Sequence, residues 1–286
     1  MKLIVDSGST KSDWVLVRAD NSRKGFSTMG FNPYFHNETT IANAILQHEE
    51  LKNVRTDIDA VHYYGAGCSS KSLRSVVENA LQSAFVNATI SVDHDLTACA
   101  YSTYDGAPGI SCILGTGSNS CHFDGEKVVE EVPALAYILG DEGSGSYYGK
   151  QLLSAYLYKT LPDHIHQSFF EEYGLSKDDI LENVYMKPNA NVYIASFMKF
   201  ASKHRDDPYF ENMVYEGMKK FMQTHVCCYK DHKTVNVHFI GSIGYYFERE
   251  LRKAAEELRI SVGTIIKKPI DGLVQYHMNY AKQQTA

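Results

Sequence analysis

The chain of 286 residues lacks any apolar run long enough to span a bilayer, which takes ~20 residues. Proline is scarce, with 7 residues, and 44% of the chain is hydrophobic, which excludes collagen-like repeats and wholesale disorder. Lys and Arg number 28 against 34 Asp and Glu, which leaves a net charge of −6. Because binding to a phosphate backbone needs a strongly basic surface, we expect neither nucleic acid nor a membrane as partner.

The sequence also shows neither the long apolar run of a secretion signal nor the paired cysteine spacing of a disulfide framework. The apolar run Leu3–Val5 meets Asp6 after only a few residues, so a cytoplasmic protein is expected. The six cysteines are scattered, with no C-x-x-C pair. A zinc site at Cys112, Cys121 and His122 would need a second ligand pair at zinc spacing, which does not follow. Reduced, mostly buried thiols are therefore predicted.

Strand and helix patterns alternate through the first hundred residues. Three strand patterns come first, and two more alternate with predicted helices over Thr40–Leu51 and Ser69–Phe85. This order is typical of a layered α/β fold. The five predicted strands are Lys2–Val5, Trp14–Val17, Arg23–Thr28, Ala60–Tyr64 and Thr89–Val92.

The opening pattern recurs after the turn residues Gly106–Gly109. Strand Ile110–Leu114 leads into the polar glycine loop Gly115–Ser120 and the returning strand Cys121–Phe123. Two strand–loop–strand units in a chain of this length predict two related lobes with a hinge near Gly106.

Two polar loops have the composition of anion-binding turns. The first spans Asp6–Ser12 and the second Gly115–Ser120, and small residues in both let backbone N–H groups converge on an anion. Either loop alone could be an ordinary polar hairpin, whereas the pair suits a polyphosphate held from two sides. The Walker pattern occurs nowhere, which excludes a P-loop. Asp6, at the end of the first strand, is well placed to hold Mg²⁺ directly or through water.

Three further positions combine turn residues with polar side chains. Asp95 opens a predicted helix, either as a capping residue or as a base that accepts a hydroxyl proton. Asp141 and Glu142 stand among glycines before a long helix, and two acids exceed what a cap needs. Gly241-Ser242 follows a predicted strand, where α/β sheets receive ligands and where ordinary turns are equally common.

These motifs, taken in order, resemble the actin-like ATPase and sugar kinase superfamily. More narrowly they are similar to the BadF/BadG-type ATPases that include N-acetylglucosamine kinases. The resemblance implies two ribonuclease-H-like lobes with a nucleotide and substrate cleft between them. It implies lobes over 1–106 and 107–269, the second with a helical insertion, and a last helix, 270–286, that packs back on the first. The motifs that carry it are Asp6–Trp14, Asp95, Gly115–Ser120, Leu139–Ser144 and Gly241–Ile243.

The resemblance also implies roles for individual residues, with ATP and Mg²⁺ as cofactors and a small sugar as substrate. Asp95 would be the catalytic base and Asp6 the magnesium-side acid. The implied ATP contacts are Ser9, Thr10, Lys11, Thr116, Gly117, Ser118, Asn119, Gly241 and Ser242. The implied sugar contacts are Asn32, Gly65, Ala66, Thr116, Gly117 and Asp141.

One departure from the family pattern concerns the sugar. Amino-sugar kinases of this family often carry Gly-Gly-Trp-Gly before Gly-Asp-Glu-Gly-Ser, whereas this chain reads Val-Pro-Ala-Leu-Ala-Tyr over Val132–Tyr137. An aromatic wall for the sugar is absent there unless Tyr137 or another aromatic residue replaces it. The predicted acceptor is N-acetylglucosamine or a close relative.

Two alternatives to an amino-sugar kinase stay open at this point. One is an activator ATPase that couples ATP hydrolysis to a partner enzyme through a cysteine-held cluster, although the cysteines show no cluster spacing. The other is a sugar sensor without turnover. A homodimer is a further possibility that the sequence leaves open.

Overall fold

The structure is a computed structural model that describes residues 1–8 and 11–280. The predicted phosphate-loop residues Ser9 and Thr10 lie outside the described residues, as do residues 281–286 of the predicted last helix. The chain divides into two compact units. Unit 1 is Met1–Tyr104 with the chain from Pro269 onward, and unit 2 is Asp105–Lys268.

Ten strands and fourteen α-helices are present in the described residues. The strands are β1 Lys2–Ser7, β2 Lys11–Val17, β3 Arg23–Met29, β4 Ala60–Gly65, β5 Thr89–His94, β6 Gly109–Leu114, β7 Ser118–Phe123, β8 Val128–Val129, β9 Asn236–Ile240 and β10 Val262–Ile266. The helices are α1 Glu38–Gln47, α2 Glu49–Lys52, α3 Lys71–Ala84, α4 Asp95–Thr103, α5 Ala136–Leu139, α6 Gly145–Leu157, α7 Asp163–Tyr173, α8 Lys177–Leu181, α9 Ala190–Ser196, α10 Met198–Lys203, α11 Pro208–His225, α12 Ser242–Tyr246, α13 Glu248–Leu258 and α14 Ile270–Asn279. A 3₁₀ turn spans Arg55–Asp57 and a π-helical turn spans Glu182–Met186.

Both units contain a mixed five-stranded sheet with the same topology. The order is β3-β2-β1-β4-β5 in unit 1, and β8-β7-β6-β9-β10 is its counterpart in unit 2. In each sheet the first three strands form an antiparallel meander, and the last two run parallel to the first. This is the ribonuclease-H-like arrangement, and the predicted fold class is confirmed.

The apolar cores follow the division into units. One cluster, built around Trp14, Phe31 and Leu81, fills the space between the unit 1 sheet and helices α1 and α3. A second packs α14 and α4 against the other face of that sheet, through Ile4 and Leu273 among others. The third and largest lies within unit 2, where helices α6 to α13 supply most of its side chains.

The helix predicted over Thr40–Leu51 is interrupted, which differs from the sequence pattern. α1 ends at Gln47, and His48 takes an extended backbone conformation before α2 begins at Glu49. The His48 ring stacks on Phe26 at a centroid distance of 5.2 Å. Packing of this ring against β3 therefore accompanies a break that helical periodicity does not signal.

No helix in the described part of the chain has both the length and the apolar character needed to cross a membrane.

Candidate functional site

The candidate residues of unit 1 lie at one edge of its sheet. β1, β4 and β5 run parallel, so their carboxyl ends meet at this edge. Asp6 stands near the end of β1, Gly65 ends β4, and Asp95 directly follows β5. Carboxyl ends of parallel strands are the usual ligand-binding edge of open α/β sheets.

The first polar loop is shorter than the predicted Asp6–Ser12, because both strands extend into it. Ser7 ends β1, and the hydroxyls of Ser7 and Ser12 bond across the hairpin at 2.6 Å in a buried position. Because the two hydroxyls pair with each other, these polar residues can stay in the β1–β2 strand pair. Lys11, predicted in the loop, begins β2 instead, and its Nζ lies 2.7 Å from Asp13 Oδ1.

Asp6 and Asp13 are directly opposite each other on neighbouring antiparallel strands. Their side chains therefore project from the same face of the sheet, where like charges repel. Asp13 also accepts a hydrogen bond from the Ser27 hydroxyl at 2.9 Å. Carboxylates at a strand end suit Mg²⁺, which needs only one or two of them alongside water and phosphate oxygens. Within the described ranges no three metal-ligating side chains converge into a cage of their own.

Asn32 and the segment after β4 come together at this same edge. Asn32 is buried, and its Oδ1 accepts a hydrogen bond from the Tyr34 N–H at 3.0 Å. A Cβ at Gly67 would lie 2.5 Å from that Oδ1, and one at Gly65 would lie 2.6 Å from the Tyr63 ring. Gly67 therefore permits close approach to Asn32, and Gly65 leaves room for the Tyr63 ring. The Ala66 N–H donates to the Ser7 carbonyl at 2.9 Å.

Asp93 and Asp95 differ in surroundings although they are two residues apart. Asp93 is half-buried, and its Oδ1 lies 3.1 Å from Arg74 Nη1 and accepts from the His94 N–H at 2.8 Å. Asp95 is exposed in the first turn of α4. The preceding residue, His94, makes no side-chain hydrogen bond that caps this helix. Asp93 is thus engaged in contacts with Arg74 and His94, and Asp95 is the more exposed of the two acids.

The turn between β6 and β7 is fixed to the start of α6. The N–H of Gly145 donates to the Gly115 carbonyl at 2.8 Å, and the N–H of Ser146 donates to the Thr116 carbonyl at 3.0 Å. These bonds satisfy N–H groups that a helix start otherwise leaves unpaired. The turn spans three residues, Gly115 to Gly117, and is therefore held rigidly with Thr116 exposed.

Ser118 and Asn119, predicted in the second phosphate loop, lie in strand β7 instead. Ser118 is buried, and its hydroxyl donates to the Glu142 carbonyl at 2.7 Å. Asn119 Nδ2 donates to Glu130 Oε1 at 3.2 Å. Polar side chains can occupy a strand when each has a hydrogen-bond partner. The predicted loop Gly115–Ser120 is therefore three residues too long, because β7 begins at Ser118.

Asp141 is buried directly beside this turn. Its Oδ1 accepts from the Ser118 N–H and its Oδ2 from the Ser146 hydroxyl, each at 3.4 Å. A Cβ at Gly117 would lie 2.9 Å from Oδ2. Burial raises the pKa of Asp141 above its usual value, and the bonds from Ser118 and Ser146 oppose that rise. The carboxylate keeps lone pairs that can accept a ligand hydroxyl.

A cavity of about 670 Å³ opens in unit 2 next to this turn. Thr116 lines it together with Ser242, the first residue of α12. Gly241 has φ 121°, and a Cβ there would lie 2.3 Å from the Leu114 carbonyl oxygen, so a side chain is excluded at this position. The full lining is Gly115, Thr116, Gly145, Val192, Ala195, Ser196, Met198, Lys199, Ser202, Ser242, Ile243, Tyr246, Phe247 and Lys267.

Most of this lining escaped sequence reasoning. The contributions of α9 and α10 carry no motif, because their residues alternate between core and cavity with helical spacing. Lys267 follows β10, and the strand-end rule that selects Gly241 would have selected it as well. Its Nζ lies 4.7 Å from the centre of the Tyr246 ring, so a lysine and an aromatic ring meet at the cavity wall.

Solved structures of sugar-kinase folds resemble this chain over nearly its whole length. A protein from Porphyromonas gingivalis, described as a candidate N-acetylglucosamine kinase, is 36% identical with TM-score 0.92, and the match covers 98% of this chain and 99% of that one. A similarly described protein from Chromobacterium violaceum is 16% identical with TM-score 0.74, covering 96% and 98%. A Streptomyces griseus glucokinase of the ROK family, solved with glucose and AMPPNP, is 14% identical with TM-score 0.55, covering 96% and 97%. The latter two show the shared fold.

A comparison with curated proteins finds no match. The model of the BadF/BadG/BcrA/BcrD ATPase family matches residues 5–205, which include the candidate residues from Asp6 to Asp141. With this match over more than half of the chain, and with the 36% identical structure, the chain belongs to the BadF/BadG/BcrA/BcrD ATPase family.

Proposed function

We propose that this protein is an ATP-dependent sugar kinase that phosphorylates a hydroxyl of an amino sugar, with N-acetylglucosamine or a close relative as acceptor. The observation that carries the proposal is the cavity beside Thr116 and Ser242. It lies in a chain that belongs to an ATPase family and that is 36% identical to a candidate N-acetylglucosamine kinase.

The cavity has the size and chemistry for a nucleoside. About 670 Å³ lies within the usual range of small-molecule pockets. Val192, Ile243 and Phe247 supply apolar surface for a base, whereas Lys199 and Ser202 supply donors for polar groups. A nucleoside seated there has its phosphates directed to the turn at Thr116 and Gly117, whose rigid backbone suits anion binding.

Phosphate charge is the second requirement of the reaction. Mg²⁺ bound with the nucleotide supplies charge neutralisation, and Asp6 is the residue we assign to it. Asp6 stands opposite Asp13 on the neighbouring strand, so a cation held by Asp6 would have a second carboxylate nearby. The predicted contacts of Ser9, Thr10, Lys11, Ser118 and Asn119 with phosphate remain part of this proposal.

Asp95 is the proposed general base. Its exposed carboxylate accepts the proton of the acceptor hydroxyl while that oxygen forms a bond to the γ-phosphorus. The bond from the γ-phosphorus to the bridging oxygen breaks at the same time, and ADP leaves. Little else is required of the protein, because phosphoryl transfer depends mainly on alignment and charge stabilisation.

The acceptor sugar is assigned to the amides and acids at the two sheet edges. The proposed hydroxyl contacts are Asn32, Gly65 and Ala66 of unit 1 and Thr116, Gly117 and Asp141 of unit 2. Where relatives carry a tryptophan, Leu135 is exposed and Tyr137 is half-buried. Without that aromatic wall, we expect weaker selection for the acetamido group than in relatives that have the tryptophan.

An ADP-release assay over amino sugars and plain hexoses tests the proposal. We expect ATP consumption that depends on sugar and is fastest with an N-acetylated amino sugar. ATP hydrolysis that no sugar stimulates would support the activator ATPase instead. Sugar binding without turnover would support the sensor.

Asp95→Asn tests the assigned base, with Asp93→Asn as its matched control. We expect the first to lower kcat by ~10²–10⁴, the usual contribution of general-base catalysis, with nucleotide affinity nearly unchanged. Asp93→Asn keeps hydrogen bonds to Arg74 and His94 and should cost far less. An essential Asp93 with a dispensable Asp95 would show that the base is misassigned by two residues.

A further inference from the structure

The last residue of α11 is a buried histidine next to the loop that carries Asp141. His225 is 4% exposed, and its Nε2 lies 3.6 Å from Oε2 of Glu142. Its ring stacks on Phe221 with a centroid distance of 5.1 Å. Nδ1 has no hydrogen-bond partner among the described residues, so the polar contact of this ring is the one to Glu142. Burying a polar ring with an unpaired nitrogen costs folding free energy, so this histidine calls for an explanation.

The histidine belongs to a set of contacts that joins the Asp141 loop to α11 and β7. The Ser120 hydroxyl donates to the His225 carbonyl at 2.6 Å, which joins α11 to β7. The Ser118 hydroxyl, two residues earlier on the same strand, donates to the Glu142 carbonyl at 2.7 Å. A Cβ at Gly143 would lie 2.9 Å from Cβ of Phe221, so the loop rests on α11 without a gap.

The loop needs this support because its backbone is strained. Asp141 has φ 59° and Gly143 has φ 70°, both in the left-handed region. For a residue other than glycine that conformation costs ~1 kcal/mol or more and persists only where surrounding contacts impose it. Without those contacts, Asp141 would relax and its carboxylate would move.

The charge on the two side chains suits a fixed arrangement. Burial lowers the pKa of His225, and the nearby Glu142 carboxylate opposes that shift. Burial thus favours the neutral ring, and Nε2 is the ring nitrogen that faces Glu142. A neutral ring contacts Glu142 without forming a buried ion pair, whose desolvation would be expensive.

We propose that His225 is a positioning residue, which fixes Glu142 and thereby the carboxylate of Asp141 in the geometry that binds the acceptor sugar. This inference rests on the proposed kinase function. It adds a residue, far from Asp141 in sequence, that sets sugar affinity without touching sugar or nucleotide.

The test compares His225→Leu with His225→Gln in the full-length protein. Leucine removes the contact to Glu142, so we expect KM for the sugar to rise about tenfold while nucleotide affinity changes less than about twofold. Glutamine places an N–H near the former Nε2 and should restore most of the sugar affinity. Glu142→Met removes the acceptor oxygens at similar side-chain length; measured in parallel, it should raise the same KM and should do so no further when combined with His225→Leu.

His238→Leu is the matched control, since His238 is another buried histidine of unit 2 and bonds the Thr264 N–H at 3.0 Å on β10. It should lower thermal stability without changing the sugar KM. An unchanged sugar KM in His225→Leu, or an equal defect in His225→Gln, would overturn the positioning role. If His225→Leu does not fold, Glu142→Met decides the matter by the same KM measurement: a raised sugar KM supports the positioning role, and an unchanged one overturns it. A wild type without sugar-dependent ADP release refutes the proposed function itself, which separates the two failures.

Discussion

The two hairpins that open the two sheets have the same topology but are stabilised differently. In unit 1 the Ser7 and Ser12 hydroxyls bond to each other within the hairpin. In unit 2 the corresponding turn is bonded to elements outside the sheet, through the carbonyls of Gly115 and Thr116 and through the side chain of Ser118. The same strand order therefore does not imply the same coupling. A change at the second turn reaches Asp141 and α6, whereas a change at the first reaches Phe31 and Ala66, whose N–H groups donate to Ser7.

The units also differ in their buried histidines. In unit 1, His62 and His277 stack with ring centroids 4.0 Å apart, and His277 Nε2 bonds the Tyr64 hydroxyl at 2.8 Å. In unit 2, His225 and His238 are buried at separate places. The only tryptophan of the sequence, Trp14, is buried in unit 1, so its fluorescence reports on that unit alone.

The largest expected effect is a loss of stability in acid that is greater in unit 1 than in unit 2, where burial lowers the pKa of His225 and His238 less far. Burial, and Lys2 secondarily, lowers the pKa of His62 to about 4, and burial with His62 lowers the pKa of His277 to about 3. Below pH 6.5 the unfolded chain binds protons that the folded chain does not, so stability falls with pH until these folded-state pKa values are reached. Each histidine should lower the free energy of unfolding by about 2 kcal/mol between pH 6.5 and pH 5. Urea unfolding followed by Trp14 fluorescence at pH 7 and pH 5 measures the difference.

His62→Phe is the control for this pH effect, because phenylalanine keeps the stacking on His277 but cannot be protonated. The variant should lose less stability than the wild type between pH 7 and pH 5. An equal loss in both proteins would assign the acid sensitivity to other groups.

An intermediate effect is expected from paired glycine substitutions, one in each unit. A Cβ at Gly149 would lie 2.1 Å from the Ile194 carbonyl oxygen, and one at Gly272 would lie 2.1 Å from that of Ser102. Because backbone cannot move aside cheaply, each change to alanine should cost about 2–3 kcal/mol. Gly272→Ala should shift the Trp14 transition, and Gly149→Ala should shift mainly the far-UV circular dichroism transition.

Gly25→Ala serves as the control, since a Cβ there meets only the Trp14 carbonyl oxygen at an ordinary 3.9 Å. It should leave both transitions within about 0.5 kcal/mol of the wild type. Identical shifts of both transitions in both glycine variants would mean that the two units unfold as one.

The smallest expected effect compares the two hairpins directly through nucleotide binding. Gly117→Ala brings a Cβ within 2.9 Å of the Asp141 carboxylate, whereas a Cβ at Gly8 would meet, among the described residues, only the Lys11 carbonyl oxygen at 3.5 Å. We expect Gly117→Ala to weaken Mg²⁺-ATP binding about tenfold, or ~1.4 kcal/mol, and Gly8→Ala to weaken it clearly less. Calorimetric titration measures both, and equal losses would contradict the difference in coupling.

The strands along the chain and the strand-end positions of several candidate residues could be predicted because they depend on local signals. Short apolar runs and glycine turns indicated the strands that lead to Asp6, Thr116 and Gly241, and the acid after a strand indicated Asp95. Buried polar residues misled the same reasoning. Ser12 and Ser118 read as loop because hydroxyls are common there, but each has a partner that lets it stay in a strand.

Contacts between distant segments could not be predicted. His225 lies at the end of a helix whose sequence shows only an amphipathic pattern, and nothing local marks Glu142 as its neighbour. The cavity wall from α9 and α10 is hidden for the same reason. Such contacts arise from tertiary packing, which a single sequence does not encode in its periodicity.

The discontinuity of unit 1 has a consequence for folding during synthesis. Residues Leu273 and Val274 of α14 complete the apolar cluster around Ile4 on one face of the unit 1 sheet. A ribosome delivers α14 only after all of Asp105–Lys268 has been made. Unit 2 can therefore complete its core first, while the nascent unit 1 exposes a sheet face that only α4 covers and that chaperones would recognise.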